Sequence, residues 1–299
     1  MNNATSLIQK IKTNRQALAR CISIVENESE GWMEILQSLP ASQCPVIGIT
    51  GPPGAGKSTL ISNLILHYSE EKKKVAVLAV DPTSPFTHGS LLGDRLRMSI
   101  HFSNPDVYIR SVATRGSLGG LTDKALEITD VLRSAGFDLV MIETVGVGQS
   151  EIEIASLADT TVLVLVPESG DEIQTLKSGV MEIADIYAVN KSDHEDAEKF
   201  SSSLEWMVQN KKTDGWVPPV VSCIATHKKG TAELAEKINR FLSSSENNKR
   251  LTLLTEKAYR MIARERMKDV DRANLSELMK EKMKEKDFNL YRFVKEFSK

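Results

Sequence analysis

The chain has 299 residues, of which 41% are hydrophobic, and a formal net charge of −2. That is enough apolar material for a substantial core, and too little net charge for a field that would draw in nucleic acid or an anionic membrane. No apolar run reaches membrane-spanning length. Cys21, Cys44 and Cys223 lie far apart with no C-x-x-C pair, which suits a reducing, cytoplasmic setting without disulfides or structural zinc.

Taken in chain order, residues 5–39 read as helical. Leu7, Ile8, Ile11, Leu18, Ile22 and Val25 recur at roughly helical spacing, and Trp32, Ile35, Leu36 and Leu39 start a second stripe that Pro40 ends. Residues 1–25 hold Lys10, Lys12, Arg15 and Arg20 and no acid, a faint likeness to a transit peptide. Lacking a signal-peptide core, they are read as part of an N-terminal helical extension, 1–40.

From 45 to about 243 the pattern alternates. Strand-like apolar runs fall at 45–50, 75–80, 107–110, 138–142, 161–166, 185–190 and 217–222, with helical stretches such as 121–135, 195–210 and 231–242 between them. Continuous apolar strands joined by helices predict an α/β domain over 41–245, with a mostly parallel central sheet covered by helices on both faces. Ligands of such sheets sit at the carboxyl ends of the strands.

Residues 246–299 carry 15 Lys/Arg against 10 Asp/Glu, leaving 1–245 at −7. Three helical stripes run through this segment: Leu251, Leu254, Ala258, Met261 and Ile262; Leu275, Leu278, Met279 and Met283; Leu290, Phe293, Val294 and Phe297. This predicts a helical arm that packs on the main domain, on another subunit or on a partner.

The chemistry starts at Gly51-Pro52-Pro53-Gly54-Ala55-Gly56-Lys57-Ser58-Thr59, which fits G-x-x-x-x-G-K-[ST] between a predicted strand and a predicted helix. Glycines let the backbone wrap closely around a phosphate chain, and the new helix offers its positive end to the same anion. Lys57 can reach the β- and γ-phosphates, and Ser58 can offer its hydroxyl to Mg²⁺. The fold class is therefore a P-loop NTPase.

Asn190-Lys191-Ser192-Asp193 follows a strand and fits N-K-x-D. The Asp193 carboxylate can accept from the N1–H and exocyclic amine of guanine, a donor pair adenine lacks. Ser222-Cys223-Ile224-Ala225, after the last strand, sits where GTPases place a loop whose backbone supports the base.

Glu143 ends the strand 138–142 and is followed by Gly146. The acid can hold Mg²⁺ through a water, and the glycine N–H can meet a γ-phosphate. Val147 stands where Ras-like GTPases carry a water-orienting glutamine, with Gln149 offset, so slow, partner-stimulated hydrolysis is expected. Asp81 ends the second strand, and Asp94 lies beyond a Pro/Ser/Thr/Gly-rich loop that suits a switch sensing Mg²⁺ and γ-phosphate. Asp94 could instead cap a helix. His88 reads as loop structure, and Arg115 as either a phosphate or partner contact or a salt-bridged turn residue.

These motifs together resemble the MeaB/ArgK group of P-loop GTPases: the P-loop, Val80-Asp81-Pro82-Thr83-Ser84-Pro85, Leu92-Gly93-Asp94-Arg95, Arg115-Gly116-Ser117-Leu118-Gly119-Gly120, and Glu143 through Glu151. Gly170-Asp171-Glu172 through Lys177, Asn190–Asp193, Asp214 through Val220 and, upstream, Arg15 through Arg20 extend the likeness over about 13–243. The resemblance implies a G-protein chaperone of adenosylcobalamin-dependent acyl-CoA mutases, chiefly methylmalonyl-CoA mutase, that couples GTP to cofactor loading and to mutase protection or repair. It implies GTP/GDP and Mg²⁺ as ligands and a homodimer formed by the C-terminal helices. Lys57 and Ser58 would bind phosphate and Mg²⁺. Asp81, Asp94 and Glu143 would form the acidic Mg²⁺ environment, Gly170–Lys177 a switch answering to the mutase, and Asn190, Lys191 and Asp193 the guanine reader. The tail departs from the family pattern after Arg250, being short, Lys-rich and without a tryptophan-rich start. A kinase of lysine/arginine/ornithine transport, the family's older label, is the alternative, and a nickel-type metal-insertion GTPase is another; N-K-x-D speaks against ATP, and no His-rich or Cys-paired metal motif is visible.

Overall fold

A computed structural model of the chain describes residues 3–81, 98–113, 124–144, 154–167, 178–209, 215–244, 248–285 and 288–297. Residues 1–246 and 247–299 form two compact units.

The first unit is built on a sheet whose described strands are β1 (Val46–Thr50), β2 (Val75–Asp81), β3 (Val107–Ala113), β4 (Leu139–Glu143), β5 (Thr160–Leu165), β6 (Ile186–Val189) and β7 (Val220–Ser222). Their order is β3-β2-β4-β1-β5-β6-β7, and every neighbouring pair is parallel. The expected parallel α/β sheet is present. β7 is shorter than its apolar run because Pro218 and Pro219 have no N–H to give a ladder.

The continuous apolar runs are explained by burial on both faces. Val75, Val77 and Ala79 point into one core layer, where Leu60, Ile61, Leu64 and Ile65 of α4 (Lys57–Glu70) meet Leu234 and Ile238 of a helix over 231–244. Ala76, Leu78 and Val80 point into the other layer. There they meet α2 (Arg15–Glu26) through Leu18, Ile22 and Val25, and α5 (Ala125–Ser134) through Ile128, Val131 and Leu132. Further along the same sheet, Met181 of α6 (Ser178–Ile183) and Leu204 and Val208 of α7 (Ala197–Gln209) close over Leu163, Leu165, Tyr187 and Val189. The 231–244 helix is α8 (Thr231–Ser244).

The run read as helical over 5–39 is three helices: α1 (Asn3–Lys10), α2 and α3 (Trp32–Gln37). Asn14 caps α2 by accepting from the Ala17 N–H at 2.9 Å, and Glu28 and Gly31 turn the chain through positive φ, which no helix can follow. Thus α2 is a structural layer of the sheet. Arg15 Nη2 donates to the carbonyls of Asn104 and Val107 at 2.7 and 2.6 Å, and Arg110 on β3 pairs with Glu26 at 2.6 Å.

The second unit holds α9 (Asn248–Arg266), α10 (Arg272–Lys282) and α11 (Leu290–Phe297). Asp271 caps α10 by accepting from the N–H groups of Ala273 and Asn274. Phe293 stacks with Phe297, with ring centroids 5.8 Å apart. Leu251, Leu254, Tyr259 and Ile262 are exposed. No helix among the described residues is long and apolar enough to cross a membrane.

Candidate nucleotide site

β1 lies between β4 and β5, while the chain leaves it first for β2, beyond β4. That reversal opens a crevice at the carboxyl end of β1. The Gly51–Thr59 loop occupies this position and runs straight into α4, whose first residue is Lys57.

Two glycines make the loop possible. Gly51 has φ +139°, and a Cβ there would stand 2.1 Å from the Val164 carbonyl oxygen on β5. Gly56 has φ +86°, and a Cβ would stand 2.3 Å from Asn190 Nδ2. Any side chain at either position meets both a backbone penalty and a collision. The Lys57 Nζ donates to the carbonyls of Gly51 and Pro52 at 2.9 and 3.1 Å, so its ammonium is held over the loop at the helix N-terminus. Backbone N–H groups, helix dipole and ammonium therefore converge where a polyphosphate would sit.

Ser58 Oγ donates to Glu143 Oε1 at 2.7 Å, with both side chains buried. The register Ala79↔Glu143 puts Glu143 at the end of β4, and Asp81 closes the adjacent strand two residues beyond its partner level. Beneath them, Thr144 Oγ1 donates to Thr50 Oγ1 at 3.0 Å. A hydroxyl and a carboxylate as hard oxygen donors at the phosphate end suit Mg²⁺, which takes few protein ligands and completes its shell with water and phosphate oxygens. Among the described residues, no three His, Cys, Asp or Glu side chains gather into a metal cage.

The guanine-reading candidates lie at the other end of a cleft of about 470 Å³, lined by Gly56, Thr59, Asn190, Lys191, Asp193, His194 and the 224–226 loop. Asn190 is buried between the two loops. Its Nδ2 donates to Ala55 O at 2.8 Å and its Oδ1 accepts from the Ala225 N–H at 3.0 Å. Lys191 turns with φ +56°, which brings Asp193 and its neighbour to the cleft wall. Ile224 and Ala225 line the cleft, but Ser222 and Cys223 do not. Instead, Cys223 ties β6 to this loop: its N–H donates to Val189 O at 2.7 Å, and its carbonyl accepts from the Ser192 N–H at 3.0 Å. Burial pushes its thiol up to about 12.

Asp94, Gly146, Val147, Gln149, Arg115, His88 and Gly170–Lys177 lie outside the described residues, as does the side chain of Asp81. Three participants were missed by motif reading. Asn63 is buried among the apolar residues of α4 and donates to Ala225 O at 2.7 Å. A polar residue inside an apolar helical stripe was the available signal for it. His194 and Thr226 line the cleft; they carry no motif of their own.

Comparison with known proteins agrees with this geometry. A Pyrococcus horikoshii protein carrying a GTPase name is 46% identical over 289 residues, covering 93% of this chain and 91% of that protein. GTPase ArgK of Escherichia coli is 36% identical over 251 residues, covering 78% of this chain and 75% of its own length. The methylmalonic aciduria type A homolog of Caenorhabditis elegans, a mitochondrial protein, is 41% identical over 203 residues, 65% of this chain and 50% of that protein. A crystal structure described as a LAO/AO transport system kinase superposes with a TM-score of 0.70 at 24% identity, covering 100% of this chain and 98% of that one; at that identity the likeness shows the fold. The family described as methylmalonyl Co-A mutase-associated GTPase MeaB matches residues 18–284, and the chain accordingly belongs to the MeaB family of P-loop GTPases.

Proposed function

We propose that this GTPase is a chaperone of an adenosylcobalamin-dependent acyl-CoA mutase, methylmalonyl-CoA mutase or a close relative, which it serves by gating cofactor loading and by protecting or reactivating the enzyme. The observation that carries this reading is the family match over 18–284, whose description names the mutase association. The name of the Caenorhabditis elegans relative points the same way.

The chain's own groups divide the work. Gly51–Thr59 and the α4 N-terminus hold the phosphates. Lys57 balances charge that develops on the β–γ bridge as it breaks. Ser58 and Glu143, with Asp81 and Asp94, would hold Mg²⁺, which when bound neutralises charge on the β- and γ-phosphate oxygens. Asp193 accepts from guanine, and Asn190 keeps the phosphate loop and the base loop in register. The loops 81–94 and 170–177 report nucleotide state to the mutase. The exposed apolar residues of α9 support a homodimer built by the C-terminal helices.

The test is GTP turnover by the purified protein with and without a B12-dependent mutase, alongside a binding measurement. Stimulated turnover and a complex are expected. Neither binding nor a rate change with the mutase present would end this reading, while the GTPase assignment would stand.

A further inference from the structure

His194 stands directly after the guanine-reading segment and lines the same cleft as Asp193. In an extended strand, consecutive side chains point to opposite sides. Here they do not alternate, because the chain turns at Lys191 with φ +56°. The turn is then closed by the His194 N–H donating to Lys191 O at 3.0 Å and the Ala197 N–H donating to His194 O at 3.1 Å. Two consecutive residues, one bearing a carboxylate and one an imidazole, thereby line the same cleft.

The ring is also oriented. Its Nδ1 accepts from the Asp196 N–H at 3.4 Å and lies 4.0 Å from Asp196 Oδ2, while the side chain keeps 37% of its exposure. Ile224 and Ala225 add apolar side chains to the lining of the same cleft. A cleft lined by an aromatic ring, by apolar side chains and by a carboxylate suited to guanine offers the surfaces a purine needs.

We propose that His194 is a base-packing residue: its imidazole lies against the purine that Asp193 holds, adding affinity by aromatic contact. This rests on the reading of residues 190–193 as the base-reading segment. Contacts of this kind are individually modest, so the loss expected on removing the ring is about two- to tenfold in affinity.

The experiment is isothermal titration of the full-length protein with GDP, using wild type, His194→Ala, His194→Phe, His194→Gln and Asp193→Ala, with thermal melts to confirm that each is folded. His194→Ala should bind GDP about two- to tenfold more weakly, and His194→Phe should recover most of that loss, because it restores a flat ring without a donor. Wild-type affinity in His194→Ala would overturn the inference. So would recovery by His194→Gln with none by His194→Phe, since that pattern belongs to a hydrogen-bond donor. Undiminished GDP binding by Asp193→Ala would remove the base-reading assignment and the inference with it. Weak binding by Asp193→Ala beside normal binding by His194→Ala would sink the inference alone.

Discussion

Asn190 Nδ2 donates to the Ala55 carbonyl at 2.8 Å, joining the end of β6 to the phosphate loop after β1 across 135 residues of chain. The same side chain accepts from the Ala225 N–H at 3.0 Å. One buried amide thus holds three loops together at the site. Asn190→Ala strands a buried N–H and weakens the loop, at a cost of about 1–3 kcal/mol. Urea titration should show that loss, and GDP affinity should fall with it. A variant equal to wild type in both would mean the three loops hold their places without this strut.

The phosphate loop makes an ordered prediction about its glycines. Alanine at Gly51 drives a Cβ into backbone, at Gly56 into the Asn190 side chain, and at Gly54 into nothing within 4 Å, although φ is positive at all three. Destabilisation should therefore run Gly51→Ala, then Gly56→Ala, then Gly54→Ala, with strain alone on the order of 1–3 kcal/mol. Chemical denaturation of the three variants checks the order. Gly54→Ala as the worst of them would show that φ strain outweighs collision here.

Lys57→Ala removes the cation held over the loop at the carbonyls of Gly51 and Pro52. Phosphate release from GTP should drop by about a hundredfold or more. The tail forms a separate compact unit, so sedimentation of this variant should match wild type. A change in mass would show that the site and the self-association are coupled.

Glu143→Gln keeps the shape of the partner of Ser58 and removes its charge. GTP affinity at high Mg²⁺ should change little, while the Mg²⁺ concentration giving half-maximal turnover should rise several-fold, on the order of 1 kcal/mol or more. An unaltered Mg²⁺ dependence would take Glu143 out of the proposed metal environment.

Burial raises the thiols of Cys21 and Cys44 to about 11 and that of Cys223 to about 12. Their folded values lie above the ordinary thiol value, so the unfolded chain gives up these protons first. The stabilisation is complete below about pH 9 and is lost as pH rises from there toward the folded values. His101 has the opposite sense. Burial lowers it, with Nε2 placed 2.8 Å from Ser62 Oγ, so stability falls as pH drops below the ordinary histidine value. Urea melts should show both slopes, and His101→Asn should flatten the acid one. Thiol reagents should react slowly with the native protein near neutral pH.

Periodicity in the sequence was enough to place the strands within a few residues, because each must bury both faces and so reads as an unbroken apolar run. The phosphate loop was equally legible, because the backbone at Gly51 and Gly56 turns through positive φ with no room for a Cβ. The break of 5–39 into three helices was less visible: α1 gives way to α2 at the Asn14 cap, and α2 to α3 at the positive-φ residues Glu28 and Gly31, local backbone choices that apolar spacing alone does not mark. What only the tertiary structure decided is which distant groups meet. Ser58 reaches Glu143 because β4 lies beside β1. Asn190 joins Ala55 to Ala225, and Asn63 and His194 enter the site, because the sheet order places the ends of β1, β6 and β7 around one cleft. Strand order fixes those meetings through long-range packing, which leaves no pattern in any single window of the chain.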